Sequence, residues 1–187
     1  MNLPIEDVDK NVIHLREPSR MVEDAVSSEI PDWSREYKSF FSWSPSHSLL
    51  ASIRTYQRSS KSKNPYAFLI KIIAIVRHKF WSVVTASDIP LNCEIGGGLL
   101  LPHPNGVVIH PRAVIGPNCL IFQQVTIGLR RGTEAPFIGG HVDIGAGAKI
   151  LGDIRIGKNA EIGANAVVIT DVPDNCTAVG IPARIIR

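Results

Sequence analysis

The pattern of aliphatic residues changes at Ile89. From there to the C-terminus a large aliphatic side chain recurs at every sixth position, as in the stretch IGAGAKILGDIRIGKNAEIGANAVVI at 144–169. An amphipathic helix would need spacings of three and four, and a half-buried strand a spacing of two, so the strict period of six predicts a repeat architecture. With one two-residue slip and one insertion, the anchors are Ile89, Ile95, Leu101, Ile109, Ile115, Ile121, Ile127, Ile138, Ile144, Ile150, Ile156, Ile162 and Val168.

Two other positions of the hexapeptide are also restricted. Gly often follows the anchor directly, as at Gly116 and Gly145, and the fourth residue after the anchor is small or β-branched, as at Cys93 and Ala148. We expect the Gly to adopt corner dihedrals that other residues avoid, and the small residue to fit a narrow interior. Each hexapeptide is then one short strand and one corner, and three of them close a triangular coil of about 18 residues. Stacked coils pair as parallel strands, which predicts a β-solenoid.

The residues before the solenoid have a different pattern. Between residues 31 and 86 the apolar residues form helix-like clusters, separated by turn-forming segments at SWSPSHS and RSSKSKNP, which predicts two or three helices. Residues 1–30 have few apolar residues in register and are predicted to form an N-terminal arm. The predicted organisation is therefore an arm at 1–30, a helical region at 31–86, and a solenoid domain at 87–187 whose residues 129–137 form an external loop.

Charge is distributed unevenly along the chain. The 187 residues carry a net charge of +3, yet seven Lys or Arg and no acid lie between Arg54 and Lys79. A solvated helix face is the main interpretation of this basic segment, and contact with an acidic partner or a membrane surface is the alternative. The apolar stretch at 67–84 contains three cations, which leave its apolar pieces too short to span a bilayer. We expect it to pack against its own protein or a sister subunit, with a peripheral membrane contact of 54–84 as the minority alternative.

Composition also narrows the class of protein. The three cysteines, Cys93, Cys119 and Cys176, have no framework spacing, and the acidic start MNLPIEDVDK lacks the pattern of a signal peptide, so a reduced, cytoplasmic protein is expected. No His, Cys or carboxylate cluster has metal-ligand spacing, so we expect no metal. The basic segment lacks the interleaved aromatics of a nucleic-acid module, so we expect no nucleic-acid partner.

Five motifs in the segment from Asp88 to the C-terminus resemble the serine acetyltransferase group of the hexapeptide-repeat acyltransferases. They are DIPLNCEIGGGLLLPHPNGVVI, QQVTIG, IGAGAKILGDIRIG, IGANAVV and DVPDNCTAVGIPARII. The resemblance implies a left-handed parallel β-helix, an exception to the usual right-handed crossover, and a homotrimer that uses acetyl-CoA as co-substrate. The expected fold class is thus mainly β, with a short α-helical N-terminal region.

The resemblance also implies the catalytic residues. In this family a histidine on an HxxG turn is the general base and an aspartate fifteen residues earlier orients it, and His103 and Asp88 stand at these positions. An imidazole suits this step because acyl transfer from a thioester needs the attacking hydroxyl to lose its proton. A carboxylate at its other nitrogen would fix the tautomer. From the residues alone, a solvated loop histidine and an aspartate that caps the first coil are the alternatives.

Candidate cofactor residues follow from the same resemblance. It implies a pantetheine arm in a groove between neighbouring subunits, against main chain that small residues leave accessible. The positions that match are Gly128, Ala146 and Ala164, and the candidates for the cofactor phosphates are Arg130, Arg131 and Arg184. Each small residue has a plain alternative as a corner of the repeat.

The acceptor is predicted from departures from the family pattern. Serine-specific members have an aspartate before the catalytic histidine and an arginine–histidine pair in the external loop, and here these positions are Pro102, Glu134 and Ala135. An acidic residue after the histidine's strand is replaced by Pro111. The loss of the loop cation makes a zwitterionic acceptor hard to accommodate. The short loop and small N-terminal region are similar to those of transferases that acetylate sugars for surface polysaccharides.

The leading functional prediction is therefore an acetyl-CoA-dependent O-acetyltransferase whose acceptor is a sugar or polysaccharide precursor. Asn105, His110 and Gln123 are the candidates for binding the hydroxyl-bearing acceptor. One alternative is a serine O-acetyltransferase of cysteine biosynthesis. The other is a non-catalytic β-solenoid scaffold.

Overall fold

The computed structural model describes residues 26–39, 42–132 and 134–186. In this part of the chain two α-helices and a short 3-10 helix precede a series of very short strands. The helices are the 3-10 helix Trp33–Glu36, α1 (Pro45–Lys61) and α2 (Ala67–Thr85). The strands are β1 (Glu94–Ile95), β2 (Val108–Ile109), β3 (Val114–Ile115), β4 (Leu120–Ile121), β5 (Thr126–Gly128), β6 (Phe137–Ile138), β7 (Asp143–Ile144), β8 (Lys149–Leu151), β9 (Arg155–Ile156), β10 (Glu161–Ile162), β11 (Val167–Val168), β12 (Thr177–Gly180) and β13 (Ala183–Ile186).

The strands form the three faces of a prism. Sheet A contains β2, β5, β8 and β11; sheet B contains β1, β3, β6 and β9; sheet C contains β4, β7, β10, β12 and β13. All neighbours are parallel except the terminal hairpin of β12 and β13, and Asp143 of β7 pairs with Glu161 of β10, 18 residues later. The chain is mainly β, a left-handed parallel β-helix with a short helical N-terminal region, so the predicted fold class is confirmed.

The interior of the prism is the column of predicted anchors. All thirteen are at most 7 % exposed, and the small residues four positions after them, such as Ala148 and Ala166, are fully buried beside them. Two of these small residues are cysteines. Burial raises the pKa of Cys93 to about 12 and that of Cys119 to about 11, so both thiols stay protonated at neutral pH. A branched aliphatic residue every six positions is therefore what fills this core.

The corners of the coils differ from the sequence-based expectation. The left-handed dihedrals fall three residues after the anchor, often on asparagine, as at Asn118 (φ 61°) and Asn165 (φ 56°), and not on the Gly that directly follows it. That Gly is needed for a different reason. A Cβ on Gly116 would lie 2.6 Å from the carbonyl carbon of Gly139 in the next coil. Glycine therefore permits close stacking of the coils, while asparagine tolerates the left-handed turn.

The residues before the helices pack against the solenoid. Residues 1–25 of the predicted arm lie outside the described residues, but 26–36 follow a corner of the prism. The fully buried Asn118 accepts a hydrogen bond from Asp32 N (2.7 Å) and donates to the carbonyls of Ser27 (2.6 Å) and Ile30 (2.8 Å). Trp33 lies against the backbone of Gly97, where a Cβ would be 2.6 Å from its ring. The Gly-rich segment at 96–98 thus accommodates a tryptophan.

One arginine joins α1 to the first coil. Arg54 forms a two-pronged ion pair with Glu36 (2.7 and 3.1 Å) and also donates to the carbonyls of Ile95 (2.5 Å) and Gly96 (2.6 Å). Its guanidinium lies over the ring of Trp33. The first cation of the basic segment is thus a structural residue and not part of a solvated face. Within the described residues, neither helix has the length and apolar character needed to cross a membrane.

Candidate active site

The loop that carries His103 lies where one coil is longer than the others. Glu94 of β1 pairs with Val114 of β3, 20 residues later, because two extra residues are accommodated at 102–106. The chain leaves sheet C after Leu101, forms an exposed turn through His103 and Asn105, and enters sheet A at Val107. This irregularity gives the otherwise uniform prism a projecting histidine.

Three hydrogen bonds hold this loop over the segment that precedes Asp88. Ser87 Oγ donates to Pro104 O (2.6 Å), Gly106 N to Ala86 O (2.9 Å) and Asp88 N to Val107 O (2.8 Å). Asp88 itself bridges Val108 in parallel pairing, one strand spacing away, which is about 4.8 Å. The fifteen-residue spacing thus places Asp88 and His103 on the same edge of the prism.

The side chains of the two residues are not bonded to each other. Both are exposed, and within the described chain no hydrogen bond or ion pair joins the His103 ring to the Asp88 carboxylate. They are nevertheless the chain neighbours of Pro104 and Ser87, which are in direct contact. Catalytic hydrogen bonds are often long or absent before substrate binds, so this geometry leaves the pair available for catalysis.

His103 faces a cleft between the loop and the helices. The cleft has a volume of about 500 Å³ and is lined by His103, Asn105, the last turn of α2 and the first turn of α1 with Trp43 before it. The first turn of α1 begins at Pro45, and no side chain in the described part of the chain caps its free N–H groups. A helix N-terminus of this kind has a partial positive charge. The cleft therefore brings together a general-base candidate and a region that suits an anionic group.

Several of the predicted site residues are stacked along the edge that carries His103. Gln124 N donates to Asn105 O (2.9 Å), Gly147 N to Gln123 O (2.8 Å) and Asn165 N to Ala146 O (2.8 Å), so successive coils continue the line. We call this line the His103 edge; it contains His103, Asn105, Gln123, Ala146 and Ala164. Gln123 Oε1 is buried there without a hydrogen-bond partner in the described part of the chain.

The remaining predicted site residues lie elsewhere. His110 N donates to Ile127 O (2.8 Å) and Gly152 N to Gly128 O (3.0 Å), which places His110 and Gly128 at the opposite end of the sheet A strands. We call this end the loop edge, because the external loop with Arg130 and Arg131 follows Gly128. About four strand residues, or about 13 Å, separate the two edges within one chain. Arg184 is exposed on the terminal hairpin, opposite Val179.

The loop edge has a cation that the sequence analysis missed. Arg112 Nη1 and Glu134 Oε2 form an ion pair of 2.6 Å, although both side chains are more than half exposed. The backbone N–H of Arg112 donates to His110 Nδ1 (3.2 Å), so the His110 ring shapes the turn. The sequence indicated only that Glu134 replaces a cation in the external loop. The structure shows that Arg112 of the preceding coil neutralises that glutamate.

Two histidines outside the site have structural contacts. His78 Nε2 lies 2.8 Å from Ile89 O, which joins α2 to the first coil. His141 Nδ1 lies 3.0 Å from Asn159 Oδ1 of the next coil. In the described residues no group of three or more His, Cys, Asp or Glu is arranged to hold a metal ion.

Comparison with known proteins gives the following relatives. Residues 135–170 match the family model described as bacterial transferase hexapeptide (six repeats). Serine acetyltransferase of Synechococcus elongatus is 45% identical over 107 residues, which are 56% of this chain and 44% of that protein. The chain spans about half the length of the curated relatives it matches.

Solved structures extend the similarity to most of the chain. The soybean serine acetyltransferase complexed with serine is 34% identical with a TM-score of 0.57, covering 74% of this chain and 70% of that one. A serine acetyltransferase in complex with CoA is 36% identical with a TM-score of 0.63, covering 77% of this chain and 58% of that one.

These relatives correct the predicted acceptor. The prediction of a sugar or polysaccharide precursor is wrong, because the similar proteins are serine acetyltransferases, which support the serine alternative. The physical reason is that the external loop is not the sole source of positive charge for a carboxylate. Arg112 forms an ion pair with Glu134, and the first turn of α1 lines the cleft beside His103.

Proposed function

Since the chain belongs to the serine acetyltransferase family of hexapeptide-repeat transferases, we propose that it transfers the acetyl group of acetyl-CoA to the hydroxyl of serine. One observation carries the proposal. The His103 loop, held over the segment before Asp88 by three hydrogen bonds, opens into a cleft large enough for an amino acid.

His103 is the proposed general base. Its imidazole takes the proton of the serine hydroxyl as the oxygen attacks the thioester carbonyl carbon. The tetrahedral intermediate then expels the CoA thiolate, which takes the same proton back from the imidazolium. Thiolate is a good leaving group, so no covalent enzyme intermediate is needed. Asp88 is the proposed positioning residue, because a carboxylate at the second ring nitrogen fixes the tautomer and stabilises the imidazolium.

The cleft supports a zwitterionic acceptor without the loop cation. Pro45 and Ser46 of the first turn of α1 line it together with His103 and Asn105. A carboxylate near this turn would receive hydrogen bonds from uncapped backbone N–H groups. Asn105 and Gln123 are proposed to bind the acceptor, because both lie on the His103 edge.

The cofactor site is proposed to form between subunits. The cofactor candidates Ala146 and Ala164 lie on the His103 edge, whereas the cofactor candidates Gly128, Arg130 and Arg131 lie on the loop edge of the same chain, beside the acceptor candidate His110. One pantetheine arm can contact both sets if the His103 edge of one subunit faces the loop edge of another, which a homotrimer provides. Arg184 is retained as a candidate for the phosphates. A cytoplasmic location, where acetyl-CoA is available, completes the proposal.

The test is release of free CoA thiol from acetyl-CoA with serine as acceptor. We expect serine-dependent release in the wild type and a loss of about 10²- to 10⁴-fold in kcat for His103→Ala. His141→Ala, which removes a histidine on another corner, is the matched control and should keep its activity. Thiol release with no serine dependence would refute the acceptor. Absence of both thiol release and CoA binding by calorimetry would favour the scaffold alternative.

A further inference from the structure

Helix α2 has a continuous apolar stripe on its outer side. Five large apolar residues follow one another at spacings of four and three along the 19-residue helix. Each is between 50 and 82 % exposed. The opposite face, with Ala67, Ala74 and Thr85, is buried against the rest of the chain. The stripe consists of Leu69, Ile73, Val76, Phe80 and Val83.

Positive charge borders this stripe. Lys79 projects on one side of it and Arg77 on the other, and both are exposed. The surrounding sequence has no compensating acid. Between Glu36 and Asp88 there are eight Lys or Arg residues and no Asp or Glu. One of the eight, Arg54, forms an ion pair with Glu36. The exposed part of α2 is thus apolar and cationic.

These features identify the occupant by its charge. In a parallel arrangement, a second copy of the helix would bring Lys79 and Arg77 close to the same cations of its partner, and neither α1 nor α2 contains an acid that could offset them. An anionic lipid surface offers both an apolar interior for the stripe and negative charge for its borders. A helix of 19 residues, about 28 Å long, can lie in the plane of such a surface. We propose that α2 docks the protein on anionic membranes through this stripe.

The experiment is co-sedimentation of the full chain with vesicles. One set contains phosphatidylcholine alone and the other phosphatidylcholine mixed with phosphatidylglycerol. We expect the wild type to sediment with the anionic vesicles, and binding to weaken as salt increases. Val76→Ser with Val83→Ser should weaken binding at least about tenfold. Lys79→Glu should weaken it at least about fivefold.

Matched controls separate the stripe from general properties of the surface. Ile186→Ser removes an apolar residue that is 50 % exposed on the terminal hairpin, and Arg155→Glu reverses one charge on sheet B. Both should bind the anionic vesicles like the wild type. All variants should retain thiol release in solution, so a failure of docking is distinguishable from a failure of the proposed activity.

Three outcomes would overturn the proposal. The first is wild-type protein that stays in the supernatant with anionic vesicles. The second is equal binding of the wild type and the Val76/Val83 variant. The third is a lower sedimentation mass for that variant without vesicles, which would assign the stripe to contact between copies.

Discussion

Ser87 and Pro104 are joined by a hydrogen bond of 2.6 Å, in which the buried Ser87 hydroxyl donates to the carbonyl that follows His103. The bond connects the chain neighbours of the two proposed catalytic residues. Among the described residues, neither His103 nor Asp88 has a side-chain partner of its own, so their relative position depends on this link and on two backbone bonds nearby. Ser87 is therefore a positioning residue for the proposed reaction.

The first prediction concerns Ser87→Ala. Loss of the link should lower kcat about tenfold with little change in the KM of acetyl-CoA, since the proposed cofactor residues are elsewhere. The free energy of unfolding should fall by about 1 kcal/mol. Thiol-release kinetics and urea unfolding measure the two effects. Ser59→Ala is the control, because the buried Ser59 hydroxyl donates to Tyr56 O of the same helix, far from the proposed site. It should lose similar stability and keep kcat, and an equal loss of kcat in both variants would contradict the prediction.

The second prediction compares two glycines of the repeat. A Cβ on Gly128 would meet nothing closer than 3.8 Å, whereas one on Gly116 would lie 2.6 Å from the backbone of the next coil. Gly128→Ala should therefore fold with stability close to that of the wild type, but its methyl group should raise the KM of acetyl-CoA about tenfold. Gly116→Ala should lose about 2 kcal/mol or more of stability. If Gly128→Ala leaves the KM unchanged, Gly128 does not contact the cofactor.

The sequence predicted the solenoid because its core repeats. An anchor every six residues and a small residue four positions later are geometric requirements of each coil, so Ile144 and Ala148 could be assigned to the interior without other information. Because the period is strict, an interruption of it is easy to locate, and the slip of two residues between Leu101 and Ile109 indicated the His103 loop. Asp88 could be placed on the same edge because fifteen residues are almost one coil.

Contacts outside the repeat could not be read in this way. The packing of Trp33 on Gly97 and the bonds of Asn118 to residues 27–32 join segments more than 60 residues apart, and no periodicity marks them. The acceptor was predicted wrongly for a related reason. Positive charge was sought at the aligned loop position, Glu134, while the structure provides Arg112 from another coil and a helix terminus from another region.

The third prediction follows from the charge on sheet C. Asp143 pairs with Glu161 of the next coil. Burial raises the pKa of the Asp143 carboxyl above its ordinary value of 3.8, Glu161 raises it further, and His141 opposes the change. A carboxyl whose pKa is raised by folding binds a proton more tightly in the native state. It therefore reduces stability as pH rises from the ordinary value through the raised one, and the loss persists at neutral pH.

Asp143→Asn should accordingly stabilise the protein at pH 7 by about 0.5 kcal/mol, the scale of one like-charged cross-strand pair. The gain should disappear as pH falls below about 3.8, where the wild-type carboxyl is protonated in both states. Urea unfolding at both pH values measures it. Asp153→Asn removes an exposed carboxylate between β8 and β9 and should give no gain. A gain for Asp143→Asn that is independent of pH would exclude this electrostatic origin.

The fourth prediction concerns Asn118, which has two roles. Its left-handed dihedral (φ 61°) favours asparagine over alanine, and its buried side chain forms three hydrogen bonds with residues 27–32. Asn165 has nearly the same dihedral (φ 56°) with an exposed side chain, so Asn165→Ala should lose only about 1 kcal/mol for the backbone. Asn118→Ala should lose about 3 to 5 kcal/mol, because the carbonyls of Ser27 and Ile30 would also lose their donor and the N–H of Asp32 its acceptor.

A third variant separates the two roles of Asn118. Glycine adopts the left-handed dihedral of position 118 without strain, but Asn118→Gly still removes the three side-chain hydrogen bonds. This variant should therefore remain at least about 2 kcal/mol less stable than the wild type. Limited proteolysis supplies an independent readout, since cleavage within residues 26–32 should become faster in both Asn118 variants and stay unchanged in Asn165→Ala. Equal stability of Asn118→Gly and the wild type would mean that the segment before the helices contributes nothing to the fold through this residue.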